Sequence, residues 1–250
     1  MQFKDRRIVI STKQRNEPPD TFPIVMNTNI AHFFHERLFY GLYAYLKNKN
    51  IRWILDKNLP SWGLKVTLMC ADKLNIPVTY EDFVDHRMYP HGDANLTKNP
   101  NWQYVLELVK RIADSTYPDA VFTQPYKVLY FRNDAVTKKM VGYSGQLDKY
   151  FDRIIYDMSA MSGDEQVKLF MKCSHFVTVE GAATTNIIFM NEAARMFVIS
   201  NTDNSWPLMF GTASRIHSLE RMILNTSHFD NPIEYTDKIE KEIIRFITTS

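Results

Sequence analysis

Three short stretches carry residue types that could act together on a ligand. The first spans 176–190 and reads FVTVEGAATTNIIFM. Its apolar start, 176–179, predicts a buried strand. Gly181, Ala182 and Ala183 then predict a turn, with Glu180 at its lip, and Thr184, Thr185 and Asn186 open an apolar segment expected to be a helix over 184–191. A strand that breaks at small residues and opens a helix aims backbone N–H groups at one point, a geometry suited to a phosphate. Gly181 would permit close backbone approach, and Thr184, Thr185 and the helix start would hold a diphosphate. Glu180 repels an anion and suits a ribose or sugar hydroxyl better. The plain alternative is an ordinary strand-to-helix turn whose small residues only let the helix pack.

The second stretch is NIAHFFHE, 29–36. On a helix, His32 and Glu36 stand four apart on one face, with His35 bordering it. A carboxylate beside an imidazole fixes its tautomer and raises its basicity, as a general base near neutral pH requires. Two histidines and a glutamate also suit zinc, although the order differs from H-E-x-x-H. The third stretch, Arg132-Asn133-Asp134, is expected to end a strand over 127–132. Ligands in open α/β sheets bind beyond the carboxyl ends of strands, where an arginine can grip a phosphate with two parallel hydrogen bonds. Lys138 and Lys139 read as a solvated pair. His91 and Asp93, in a Pro/Gly-rich loop, and Trp206 and Phe210, near Pro207, are weaker candidates.

These residues need a frame, and the 250-residue chain is long enough for one large domain or two small ones. Hydrophobic content of 45% supports a packed core, and 30 basic against 28 acidic residues gives a net charge of only +2, which argues against a dedicated nucleic-acid binder. Cys70 and Cys173 form no framework pattern. With mean hydropathy −0.31, no N-terminal signal and no run long enough to span a bilayer, a soluble cytoplasmic protein, or a catalytic fragment without its anchor, is expected.

Strands are expected at 7–11, 22–26, 51–55, 127–132, 153–156, 176–179 and 196–200. Helices are expected at 30–46, 62–74, 102–113, 164–173, 184–191, 212–224 and 236–248. Ser162 should cap the 164–173 helix, with Glu165 at its third position. The alternation predicts parallel sheets covered by helices: an α/β fold of two Rossmann-like halves, 1–118 and 119–250, with a ligand cleft between them.

The ordered set Asn29, His32, Glu36, then Arg132, then Ser162-Gly163-Asp164-Glu165-Gln166, then Gly181-Ala182 with Thr185-Asn186 and Phe189-Met190 resembles glycosyltransferase family 61. The chain departs from the family in having Glu180 in place of a histidine and Ala183-Thr184 in place of Gly-Leu. A further family arginine is not evident, with Lys138 and Lys139 nearby instead. The resemblance implies a GT-B-like, inverting, metal-independent transferase in which the C-terminal half holds the nucleotide sugar and the N-terminal half faces the acceptor. By that resemblance Glu36 or His32 is the base, and Arg132, Glu180, Gly181, Ala182, Thr184, Thr185 and Asn186 line the donor site. No metal and no cofactor is expected beyond the donor itself. That donor would be a UDP-sugar, UDP-xylose among the options, and the acceptor an oligosaccharide or glycoprotein glycan. The missing anchor fits a soluble viral or bacterial member. No D-x-D triplet occurs. Two rival functions stay open: a metal-dependent hydrolase on His32, His35 and Glu36, and a non-catalytic nucleotide-sugar-binding relative.

Overall fold

A computed structural model describes residues 21–24, 37–81, 101–121, 124–132, 137–203, 218–226, 228 and 230–249. The expected strand at 7–11, the motif 29–36 with His32, His35 and Glu36, the 91–93 loop, and Trp206 and Phe210 lie outside the described residues. The chain divides into two compact units, Met1–Val105 and Leu106–Ser250. The division falls inside the helix Asn101–Thr116.

The first unit contains a three-stranded parallel sheet: β1 (Thr21–Ile24), β2 (Arg52–Asp56) and β3 (Val78–Glu81), in that order across the sheet. Helix α1 (Phe39–Lys47) follows β1 and α2 (Ser61–Leu74) links β2 to β3. Parallel neighbours need such crossovers, because a tight turn cannot bring the chain back to the same end of the sheet. The central strand β2 is buried from Trp53 to Asp56, while β3 is mostly exposed. Leu38, Phe39, Leu42, Trp53, Leu55, Trp62 and Val66 supply this unit's core. Asn75 closes α2 in the left-handed conformation at φ 54°, its N–H donating to the Ala71 and Asp72 carbonyls. Asparagine tolerates that conformation better than most residues.

The second unit begins at Leu106, within α3 (Asn101–Thr116), and continues into the short α4 (Pro118–Val121). Its strands are β4 (Tyr126–Tyr130), β5 (Met140–Val141), β6 (Arg153–Ile155), β7 (Cys173–Val179), β8 (Arg195–Ser200), β9 (Ser218–Ile223) and β10 (Ile233–Glu234). Five of them form one parallel sheet in the order β6-β4-β7-β8-β9, and β5 pairs with β10 in a separate parallel ribbon. All the pairings among the described residues are parallel, so the chain is an α/β protein.

Alternation along the strands sorts the core into two layers. Leu129, Val177, Val179, Phe197, Ile199 and Met222 share a cluster with Ile239, Ile243, Phe246 and Ile247 of helix α6 (Asp237–Thr248). On the opposite face Phe176 meets Phe170 of α5 (Gly163–Met171) edge to face, at 4.8 Å between ring centroids. The expected capping box forms at the start of α5. The Ser162 hydroxyl accepts from the Glu165 N–H at 3.3 Å, and the Glu165 carboxylate accepts from the Ser162 N–H at 2.7 Å. Thr236 caps α6 by accepting from the Ile239 N–H.

One expected helix is corrected, and another takes a tighter form. Residues 218–223 were expected within a helix over 212–224, but they form β9, paired residue for residue with β8. Helix-favouring side chains such as Leu219, Glu220 and Met222 yield here to an open sheet edge that supplies hydrogen bonds and burial. The segment after Gly181, expected as a helix over 184–191, is helical. It is a 3-10 helix, Ala182–Phe189, buried from Ala183 onward. It carries β-branched Thr184, Thr185, Ile187 and Ile188, which lose rotamer freedom in an α-helix. Packed on all sides, it offers no polar face for water.

Candidate functional site

Within the five-stranded sheet, β4 comes first in sequence and β6 is laid on one side of it. The chain then returns to place β7, β8 and β9 on the other side. Numbered within the sheet, the order is that of a doubly wound fold, 2-1-3-4-5. The order reverses between β4 and β7, and ligands of such sheets bind beyond the carboxyl ends of the strands at that reversal. The residues leaving these two strands are Phe131-Arg132 and Glu180-Gly181. Tyr130 pairs with Thr178, so continuing the register by two sets Arg132 level with Glu180.

Gly181 and Arg132 fit together closely. A Cβ on Gly181 would lie 1.5 Å from Arg132 Nη1 and 2.4 Å from its Cζ. The guanidinium therefore lies over the bare backbone of Gly181. With φ at 166°, the glycine is extended. What it contributes is the missing side chain rather than a special backbone conformation. Arg132 itself stands at φ 58°, left-handed and unfavourable for a residue with a Cβ. Strain of this kind persists only where surrounding structure over-determines it, and it gathers at functional sites. Arg132 Nε is buried with no hydrogen-bond partner among the described residues.

The two ends of the stretch from Phe131 to Met140 meet, where the Met140 N–H donates to the Phe131 carbonyl at 2.9 Å. The β5–β10 ribbon anchors its far end: the Ile233 N–H donates to the Lys139 carbonyl, and the Lys138 N–H donates to the Asp230 carbonyl. Lys138 is thereby returned to the neighbourhood of Arg132. It too is left-handed, at φ 54°. Its side chain is only 13% exposed and lies 3.9 Å from Asp230. Burial lowers the Lys138 pKa and Arg132 pushes the same way, while the carboxylates of Glu180 and Asp230 raise it. Lys138 was expected as half of a solvated pair; it is instead a partly buried member of a charged group with Arg132 and Glu180. In the sequence Lys138-Lys139 stands between Thr137 and Met140, and nothing in that pattern marks Lys138 rather than Lys139 for burial.

The remaining expected ligand-binding residues divide by depth. Gly181 and Ala182 are half-buried at the lip. Glu180 is buried close enough to act on Lys138, and its N–H donates to the Ile199 carbonyl of β8. Thr184 turns inward: its hydroxyl and its amide both donate to the Gly181 carbonyl, at 2.6 and 3.0 Å. Thr185 and Asn186 are fully buried. Thr185 Oγ1 and Ser200 Oγ are buried without a hydrogen-bond partner among the described residues. Arg132, Glu180, Gly181 and Ala182 thus meet at one edge, with Thr184, Thr185 and Asn186 behind it. Among the described residues no three His, Cys, Asp or Glu side chains gather as a metal would require.

An arginine laid over a glycine, with a second cation in reach at the reversal of a parallel sheet, suits an anionic ligand such as a phosphate. The chain matches the family model Glycosyltransferase 61 over residues 30–197, and it belongs to that family. The match spans both the His32–Glu36 motif and the turn after β7. No curated protein matches the chain significantly. Membership makes it a glycosyltransferase, and so implies a nucleotide-sugar donor and a glycan acceptor. No helix among the described residues is long and apolar enough to cross a membrane.

Proposed function

We propose that the protein is an inverting, metal-independent transferase that moves a sugar from a UDP donor to a glycan hydroxyl, with the donor diphosphate seated between the ends of β4 and β7. The observation that carries this reading is the Arg132 guanidinium lying over Gly181 at the reversal of the sheet. A departing diphosphate must be neutralised as the glycosidic bond breaks. Without a metal, fixed cations and backbone donors supply that stabilisation. The absence of a D-x-D triplet from the sequence supports the metal-free route.

In a single displacement, a base deprotonates the acceptor hydroxyl, which attacks the anomeric carbon from the side opposite the leaving diphosphate and inverts it. Glu36 or His32 is the proposed base: if His32 takes the proton, Glu36 orients it, and if Glu36 takes it, His32 positions the acceptor. UDP-xylose is among the donors to be tried, so the proposal includes a xylosyltransferase. A GT-B-like pairing of two Rossmann-like halves belongs to the same proposal, supported by a parallel α/β sheet in each unit.

Calorimetry with UDP, paired with transfer assays in EDTA over a panel of UDP-sugars, tests the reading. Arg132→Ala should weaken UDP binding at least about tenfold, the loss of a charge-assisted hydrogen bond. Glu36→Gln should abolish transfer while UDP still binds, and the product of the wild-type enzyme should carry the opposite anomeric configuration to the donor. Unchanged UDP affinity in Arg132→Ala would remove the proposed donor site, and transfer that stops in EDTA would remove metal independence.

A further inference from the structure

Among the described residues, Arg221 is the one side chain that buries two nitrogens, Nε and Nη2, without a hydrogen-bond partner. It stands in β9, paired with Val198 of β8. Its neighbours face α6: Glu220 takes the Arg245 guanidinium, and Met222 joins the α6 cluster. Alternation turns Arg221 to the opposite face of the sheet, which Ser200 shares because Ile199 points into the α6 cluster. The guanidinium reaches toward the carboxyl ends of the strands, where Nη1 donates to Asp203, just past the end of β8, at 3.0 Å. The arginine side chain is 8% exposed and that of Asp203 is 79% exposed. One solvated carboxylate compensates a buried cation weakly. Ser200, the last residue of β8, is fully buried, and its Oγ has no partner among the described residues. Both residues lie outside the stretch 30–197 that the family model covers.

We propose that Arg221 and Ser200 form a carboxylate site, and that one of the two sugars the enzyme joins is a hexuronic acid. This rests on the transferase reading above. Geometry selects the group. Nε–H and the Nη2–H beside it lie along one edge of the planar guanidinium and point the same way, so together they hold the two oxygens of a carboxylate. Asp203 takes Nη1, on the other side of the fork, and leaves that edge to the ligand. The Ser200 hydroxyl, on the neighbouring strand, adds a third bond. Buried N–H groups have already given up water, so a carboxylate that reaches them restores hydrogen bonds instead of exchanging them. Charge selects a monoanion. The other cations that reach β9, Arg195 and Arg245, are held by Glu220 on the α6 face, so a phosphate dianion would find no second cation among them. Place selects a sugar. β9 lies two strands from β7, about 10 Å across the sheet, so Arg221 stands beside the proposed diphosphate seat and not in it. The acid belongs to the donor sugar or to the acceptor glycan, and the two are separable by binding.

The test is calorimetry on the full chain, for wild type, Arg221→Met, Arg221→Lys, Ser200→Ala and Arg132→Ala. One arm uses UDP, UDP-glucose, UDP-galactose, UDP-glucuronic acid and UDP-galacturonic acid. The other uses the methyl glycosides of the same four sugars with UDP present. If the donor carries the acid, wild type should bind one UDP-uronic acid at least about tenfold more tightly than its neutral counterpart. If the acceptor carries it, the same preference should appear between the methyl glycosides. Either preference should vanish in Arg221→Met, with affinity for UDP itself unchanged, and should weaken in Ser200→Ala. Arg221→Lys should keep only part of it, because an ammonium keeps the charge without the fork. An apolar side chain in place of a weakly paired buried cation should leave the melting temperature at or above that of wild type. No uronate preference in wild type, or a preference that survives Arg221→Met, overturns the carboxylate site; in the second case a lowered melting temperature would make the arginine a structural residue. If UDP binds and Arg132→Ala weakens it while no uronate preference appears, the carboxylate site falls and the donor site stands. If wild type binds no UDP yet takes a methyl uronide through Arg221, the donor reading falls and the carboxylate site stands.

Discussion

At the scale of single residues, the site depends on an atom that is missing. Gly181 could be read in the sequence as a place where backbone meets a ligand closely. The structure places the chain's own Arg132 there instead. That changes what a substitution should do. The glycine is extended, so alanine costs nothing in backbone conformation. Its methyl, however, would fall 1.5 Å from Nη1, and the guanidinium must retreat by roughly 2 Å to restore ordinary contact. Arg132 is a flexible side chain and can swing away, so Gly181→Ala should fold with a melting temperature near that of wild type. UDP affinity should nevertheless drop at least about tenfold, because the forked donor no longer points at the phosphates. Calorimetry and a thermal melt on the one variant check both halves. Unaltered UDP binding would mean that the observed guanidinium position is not the one used. Arg132 and Gly181 were legible from the sequence because type and place agreed: a cation and a glycine, each at a strand end. Lys138 was not, since its burial goes with contacts distant in sequence, such as its N–H donating to the Asp230 carbonyl.

Elements were legible to the extent that their causes were local. Helix α5 announced itself through Ser162 and Glu165, whose reciprocal hydrogen bonds involve residues three apart. Ser162→Ala removes the side-chain acceptor of the Glu165 N–H and should cost about 1 kcal/mol. In urea the midpoint should fall while the slope is kept. Ser162 is exposed and remote in sequence from Arg132 and Gly181, so UDP affinity should not change. A stability equal to wild type would show that the box contributes nothing to α5. Strand β9 had no such local cause. Ser218 to Ile223 becomes a strand because Arg195 to Ser200 offers it an edge, and its polar residues are then put to use. Glu220 takes the Arg195 and Arg245 guanidinium groups, while Met222 turns into the core. The segment after Gly181 illustrates the opposite limit. Its small and apolar residues correctly signalled a turn and burial, but helix type depends on how tightly the sheet face confines it. As a 3-10 segment it spends the Thr184 hydroxyl and amide on the Gly181 carbonyl, so under the proposed reading the Thr184 side chain is not a phosphate donor in this conformation.

At the scale of the whole molecule, alternating strands and helices correctly announced parallel α/β structure, because parallel strands cannot be joined without crossovers. Strand order was beyond that signal. The return of the chain across β4 to start β7 is a long-range event, yet it decides where a ligand can lie. It places Arg132, Lys138, Glu180 and Gly181 all within the unit Leu106–Ser250. Donor binding should therefore be recorded mainly by that unit. Saturating UDP, at a hundred times its dissociation constant, should stabilise the native chain by about 2.7 kcal/mol through mass action. Hydrogen exchange can show where that stabilisation is first felt. Amides at 180–184 and 199–201 and around Arg132 and Lys138 should slow at short exchange times, before any global unfolding contributes. Those of Arg52–Asp56 and Val78–Glu81 should exchange as before. Such local slowing arises only where the ligand closes the backbone against opening. Slowing confined to the first unit, with the ends of β4 and β7 unchanged, would move the nucleotide to the other sheet and leave the Arg132–Gly181 contact without a ligand to explain it.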